Sequence, residues 1–340
     1  MNLGVALMLL VWADQARSQG LRVGIIDFYG LRHVSEIQAR TALKITKGDA
    51  VIWDGDTRPD SLTQAEGRLT ALPGVLHAHI NLVCCDGDRA TLYVGIEEQG
   101  TLKLRFRAAP RGSVRLPADV MQAGKEFFPA LMQAVQSGDA DEDDSKGHAL
   151  AHDQAVRATQ ERFIVYAVRD LNQLRSVLRH SADAEHRALA AQILGYAANK
   201  RAVIGDLVYG MDDPDESVRN NATRALAVIA QLASGSPELK IRVPAKPFVS
   251  LLNSPVWTDR NKASMALMAL STSRDRELIA SLREQALPSL IEMARWKSEG
   301  HAFAAFALLG RIGGLSEDAI HTLWSRGDRE AVIDTALKRR

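Results

Sequence analysis

The chain has two cysteines among 340 residues, 5% aromatics, no excess of either charge, and no apolar run long enough to cross a membrane. Each scarcity excludes something. The cysteines, Cys84 and Cys85, are adjacent, and α-carbons joined by one peptide bond lie ~3.8 Å apart, closer than ordinary disulfide geometry allows. A disulfide-stapled scaffold is thereby excluded. A strained vicinal bond or a link to another chain stays open in an oxidising compartment, and the favoured reading is two small, half-buried residues at a strand end. Forty-two basic against 41 acidic residues leave no net field to attract nucleic acid or an anionic membrane surface. The one early apolar run, residues 3–12, is far short of the about 20 residues that span a bilayer.

That run is followed by polar residues with Ala16 and Ser18 in small-x-small spacing, the pattern of a secretory signal peptide over residues 1–18. The expectation is an exported, periplasmic mature chain beginning near Gln19, with no transmembrane segment.

Residues 19–100 read as an α+β module. The apolar run from Leu21, rich in β-branched residues, closes at Gly30 as a strand. Ser35 is placed to cap a helix through Leu43, and a second helix from Asp60 or Ser61 ends at Pro73-Gly74. Leu76, Ala78, Ile80 and Leu82 alternate with His77, His79 and Asn81, the period of a half-buried strand. Asp86-Gly87-Asp88 then turns the chain into Leu92, Val94 and Ile96, alternating again. The expected order is β-α-α-β-β.

With its "Leu43-Lys44-Ile45-x-x-Gly48" turn, its "Leu69-x-x-Leu72-Pro73-Gly74-Val75" helix end and its closing strand "Leu92-Tyr93-Val94-Gly95-Ile96-Glu97-Glu98", this module resembles the POTRA domain. The resemblance implies a protein-contact module at the bacterial envelope that adds a partner strand to a sheet edge. Leu76, His77, His79, Asn81 and Val83 are the partner-binding candidates, on a strand over residues 76–83 expected at the edge, with Leu76, Ala78, Ile80 and Leu82 facing inward. A single module followed by helices departs from the tandem POTRA arrangement ahead of a membrane barrel.

Residues 101–150 read as a joint. Leu102, Leu104 and Phe106 alternate with Lys103, Arg105 and Arg107, as in a basic-faced strand, and Pro117 starts a helix that Gly138 stops. The acidic run 139–144 is expected to be an exposed linker loop.

From residue 151 onward the chain reads as an all-α solenoid. Alanine recurs at Ala190, Ala222, Ala263 and Ala304, each followed four residues later by Leu194, Leu226, Leu267 and Leu308. Residues at i and i+4 share a helical face, and recurrence after 32, 41 and 41 residues falls near the period of stacked helix pairs, which bury their apolar faces only against neighbours. Three residues before each alanine stand Arg187, Arg219, Arg260 and His301, the arginines expected to pair with carboxylates along the stack. "Asp212-Asp213-Pro214-Asp215-Glu216-Ser217-Val218-Arg219", with Asp183 and Asp215 at N-cap positions, resembles the turn and second-helix start of HEAT repeats, including the short type of phycobilisome lyases. That resemblance implies a binding scaffold.

His148 and His152, four apart and beside Asp153, are the one metal-like constellation. It is weak: the residue after the first histidine is Ala149, where an HExxH site needs glutamate, and a solvated helix terminus is the preferred reading. The acidic run lacks the glycine and the final glutamate of an EF-hand. No catalytic residue and no cofactor are expected. The chain is therefore read as a non-enzymatic adaptor or scaffold for proteins, not nucleic acid, at the cell envelope. The alternatives are a component of an outer-membrane assembly or transport machine, associated peripherally with outer-membrane proteins, and a metal-binding protein or lyase-like enzyme.

Overall fold

The computed structural model describes residues 21–51, 58–86, 89–101, 104–139 and 141–339. Residues 1–18 and the tip of the Asp86-Gly87-Asp88 turn lie outside them. The chain divides into two compact units, residues 1–101 and 102–340.

In the first unit, β1 (Leu21–Tyr29), α1 (Glu36–Leu43), β2 (Ala50–Val51), α2 (Asp60–Thr70), β3 (Val75–Asp86) and β4 (Arg89–Glu98) follow in chain order. The sheet order is β2-β1-β4-β3, with β1 parallel and β3 antiparallel to β4. Leu43, Leu62 and Leu69 of the helices share one core with Ile26, Ile80 and Leu92 of the strands, each burial stabilising by roughly 2 kcal/mol. Ser35 starts α1 through a capping box with Gln38. Gly30 ends β1 at φ 79°, where a Cβ would stand 2.1 Å from the Ile96 carbonyl oxygen, so only glycine fits.

The buried Glu98 carboxylate closes the far side of that turn. It accepts the backbone N–H groups of Arg32, His33 and Val34 at 2.9, 2.8 and 3.1 Å. Burial pushes this carboxyl up, and the three amides more than offset that, holding it below the usual range. Two expectations change here. The ladder slips between Val75 and His77, a bulge that puts Val75 in the core in place of Leu76, which is only half-buried and outside the cluster. Cys84 is disulfide-bonded rather than a free thiol.

The second unit opens with residues 104–110 in irregular backbone, not the basic-faced strand. Tertiary partners outcompete the local alternation. Arg107 pairs with Asp213 and lies 4.1 Å from the Tyr209 ring centre, and Phe106 lies 3.9 Å beneath the Arg219 guanidinium. Helix α3 (Ala118–Ser137) runs from Pro117 to Gly138, whose φ of 77° makes the left-handed C-cap. The acidic run is not an exposed linker: β5 (Glu142–Asp143) pairs with β6 (Leu150–Ala151), and Glu142 forms an ion pair with Arg224.

Eleven helices then follow: α4 (Gln154–Arg169), α5 (Leu171–His180), α6 (Ala184–Leu194), α7 (Lys200–Gly210), α8 (Glu216–Gly235), α9 (Lys246–Leu251), α10 (Trp257–Leu270), α11 (Arg276–Ala294), α12 (Glu299–Gly313), α13 (Glu317–Ser325) and α14 (Arg329–Lys338). From α5 onward they form pairs. The alanine–leucine ladder lies on α6, α8, α10 and α12, which pack on one another in succession, and seven of its eight residues are fully buried while Ala304 is 5% exposed. Alanine at this contact lets successive helices approach closely, and leucine fills the space beside it. Asp183 and Asp215 cap α6 and α8 by accepting from the first-turn amides. The jump from 32 to 41 residues between alanines comes from α8, which at 20 residues is nine longer than the 11-residue α6, while the 3₁₀ segment Pro237–Leu239 and its coil are offset by the short, six-residue α9.

The arginines before the ladder are buried rungs. Arg187 holds Asp213 through two bonds of 2.9 Å, Arg219 holds Asp259 at 3.0–3.1 Å, and Arg260 donates to Glu292 at 2.8 Å. Each rung reaches into the next helix pair. Arg187 and Arg219 also each donate to two carbonyls of the loop before their own helix, so nearly the whole guanidinium is satisfied. At the fourth position His301 instead meets the Trp257 ring edge-on at 4.9 Å. Burial first, and the charge of Lys262 second, push its imidazole down to about 4.

Candidate functional site

Helices α8, α10 and α12 line a cavity of about 550 Å³ in the second unit. Its floor follows from helical spacing. Arg224, Ala227, Gln231 and Ser234 lie along α8, and Lys262, Met265 and Ala269 along α10, in steps of three and four that keep each set on one face, with Thr272 in the 3₁₀ turn just past the end of α10. Met265 is 47% exposed there. Phe303 of α12 continues the lining, with its ring edge-on to Trp324 at 5.2 Å and tilted against His321 at 5.8 Å.

Three cations border this groove, and two are occupied. Arg311 is held by Glu317 at 3.0 Å and donates to Ser271 at 2.8 Å, while Arg224 pairs with Glu142 of the folded acidic run. Lys262 has no hydrogen bond or ion pair among the described residues. Burial, and next the neighbouring Arg224 guanidinium, push its ammonium down to about 8. Asp144 lines the same end; burial and nearby Glu142 hold its carboxyl above the usual range, and its Oδ1 has no partner among the described residues.

The histidines expected to share a helical face do not. His148 precedes β6 and His152 follows it, so their spacing straddles a strand and a turn rather than a helix. His148 Nδ1 lies 3.1 Å from the Lys200 ammonium, and its ring is 5.4 Å from Tyr196. Burial first, then Lys200, push it down to about 4, so at neutral pH Nδ1 accepts from Lys200. His152 is exposed, and Asp153 caps α4 by accepting the Val156 N–H at 2.9 Å. Among the described residues no group of histidine, cysteine and carboxylate side chains is arranged to hold a metal ion.

On the sheet unit, β3 is an edge strand. Its edge is not bare. Glu66 accepts the Ile80 N–H at 2.6 Å and Arg58 donates to the Ile80 carbonyl at 2.7 Å, so Ile80 turns its backbone outward and the alternation turns Asn81 toward β4. Asn81 is therefore not the outward donor. His77 is exposed, while His79, with Nδ1 3.6 Å from Glu66, and Val83 are half-buried.

Reading the sequence for chemical motifs missed Lys262, Arg224, Met265 and Phe303. A signal was present: Lys262 and Phe303 each stand immediately before a ladder alanine, which places them at matching positions on successive helices.

The HEAT-repeat family pattern matches residues 171–268, which run from the start of α5 into the last turn of α10. No curated protein matches the chain. Among solved structures it is similar to a designed armadillo repeat protein, at 19% identity over 55% of this chain and 95% of that one, with a TM-score of 0.37. No helix of the described residues is long and apolar enough to cross a membrane. The observed succession of helix pairs makes the second unit a helical repeat array, HEAT-like over the matched residues 171–268.

Proposed function

We propose that the protein is a non-enzymatic adaptor that binds other proteins through the groove of its helical unit. The observation that carries this reading is the groove itself: exposed Met265 and half-buried Phe303 beside Lys262, which has no hydrogen-bond partner among the described residues. Apolar anchors next to an uncommitted charge are what a protein-binding surface needs. The sheet unit, POTRA-like in its element order, is a second contact. Its β3 edge ranks behind the groove because Glu66 and Arg58 already occupy the outward groups of Ile80. The export pattern of the first 18 residues supports a periplasmic setting for this work, at the cell envelope.

The test replaces Met265 with a photo-crosslinking residue in the native cells, identifies the crosslinked protein, and rebuilds the complex from purified components. A defined partner that binds the purified chain and is lost on Met265→Asp is the expected result. Crosslinks from exposed Val168 of α4 alone, with none from the groove, would overturn the reading. Intact mass of the mature protein checks export; retention of residues 1–18 would overturn the periplasmic assignment.

A further inference from the structure

The groove already holds one acidic segment, and that segment belongs to the chain itself. Glu142, from the run 139–144, reaches across 82 positions of sequence to pair with Arg224 on the α8 face of the groove. The site thus accepts a carboxylate delivered by extended backbone, since Glu142 sits in strand β5. One helix further along stands the next cation, Lys262.

We propose that the groove takes an acidic, apolar-interleaved segment of a partner protein, with one partner carboxylate seated on the Lys262 ammonium beside the Arg224–Glu142 pair. This rests on the adaptor reading above and names the chemistry of its partner. The groups facing Lys262 are Arg224 of α8, Glu142 of β5 and His301 of α12. Glu142 acts on Lys262 only through its charge and is itself paired with Arg224, Asp144 lines the same groove without an ion pair to the lysine, and His301 is neutral near pH 7, so Lys262 is a half-buried cation with no ion pair among the described residues. Holding an ammonium partly out of water costs free energy unless a partner is supplied. Met265 and Phe303, on neighbouring helices, give apolar side chains of the same segment a place to pack. A carboxylate on Lys262 favours the charged amine, so binding draws a proton onto the lysine at mildly alkaline pH.

The experiment uses the full chain and two fluorescein-labelled peptides, one alternating glutamate with leucine and phenylalanine, the other with lysine in place of each glutamate. Anisotropy is expected to show binding of the acidic peptide only, weakened at least about tenfold by Lys262→Met and largely kept by Lys262→Arg. Between about pH 7 and about pH 9 the wild-type chain is expected to lose affinity while Lys262→Met does not change. Met265→Asp, which leaves the cation in place, is expected to weaken binding too, and thermal unfolding checks that each variant is folded. Equal binding by wild type and a folded Lys262→Met, or preference for the lysine peptide, would overturn the proposal. A Lys262-dependent dimer in light scattering would assign the groove to a second copy and overturn it as well. If the acidic peptide fails while the Met265 crosslink still yields a partner that binds in purified form, the adaptor reading stands and this inference falls.

Discussion

The two units solve the same problem, a buried carboxylate, in opposite ways. In the sheet unit Glu98 is satisfied by three amides of a turn that the same sheet positions. In the helical unit Asp213 and Asp259 are satisfied by arginines of the preceding helix pair. The first arrangement closes on itself. The second passes each charge to a neighbour, which is how an array of pairs with incomplete individual cores is made cooperative.

The comparison is broken most severely by Arg219→Ala, which leaves Asp259 buried beside Ser254 alone. A loss of about 3–5 kcal/mol is expected. Hydrogen exchange should show it spread over α8 and α10 with the sheet unit unaffected; a loss confined to α8 would show that the rungs do not couple pairs. Leu226→Ala, in the ladder core at 0% exposure, should cost ~2–5 kcal/mol by leaving a cavity. An unchanged denaturation midpoint would undo the repeat register.

Glu98→Gln tests the closed arrangement. It keeps the size of the side chain but weakens three charge-assisted bonds, for an expected loss of about 1–3 kcal/mol seen as faster exchange at residues 32–34 only. Because the folded carboxyl lies below its unfolded value, its contribution is full above the unfolded range and is lost as pH falls through the folded value. Acidification below about pH 4 should therefore narrow the gap between wild type and Glu98→Gln; a gap that widens would reverse the assignment. At the bottom of the scale, His152→Ala removes an exposed ring and should change stability by less than about 0.5 kcal/mol, in thermal unfolding as in metal content.

Much of the fold was legible because it is written at short range. Ser35, Asp183 and Asp215 cap helices through amides two or three residues away, and the alanine–leucine ladder states a helical face in each repeat. What failed was long range. The alternation at residues 102–107 is a good local strand, but Phe106 and Arg107 meet partners in α7 and α8 and in the loop between them, which no window shorter than a hundred residues contains. The acidic run looked too charged to pack for the same reason: its counter-ion, Arg224, lies far down the chain. The Val75 bulge shifted the predicted inward register at the start of β3, since an inserted residue leaves no trace in a pattern of alternation. The groove escaped notice because Lys262 and Met265 are ordinary residues made distinctive by their position on adjoining helices.

The forward direction of the arginine rungs has a consequence for the order in which the chain folds as it emerges. Translation makes Arg187 before Asp213, Arg219 before Asp259 and Arg260 before Glu292. Whether it emerges from a ribosome or from an export pore, the chain comes out N-terminus first, so each helix pair presents its guanidinium before the carboxylate that pairs with it. The fourth position breaks this dependence. His301, uncharged near neutrality, waits for no carboxylate, and a nascent chain that has reached it can lock every earlier rung in turn.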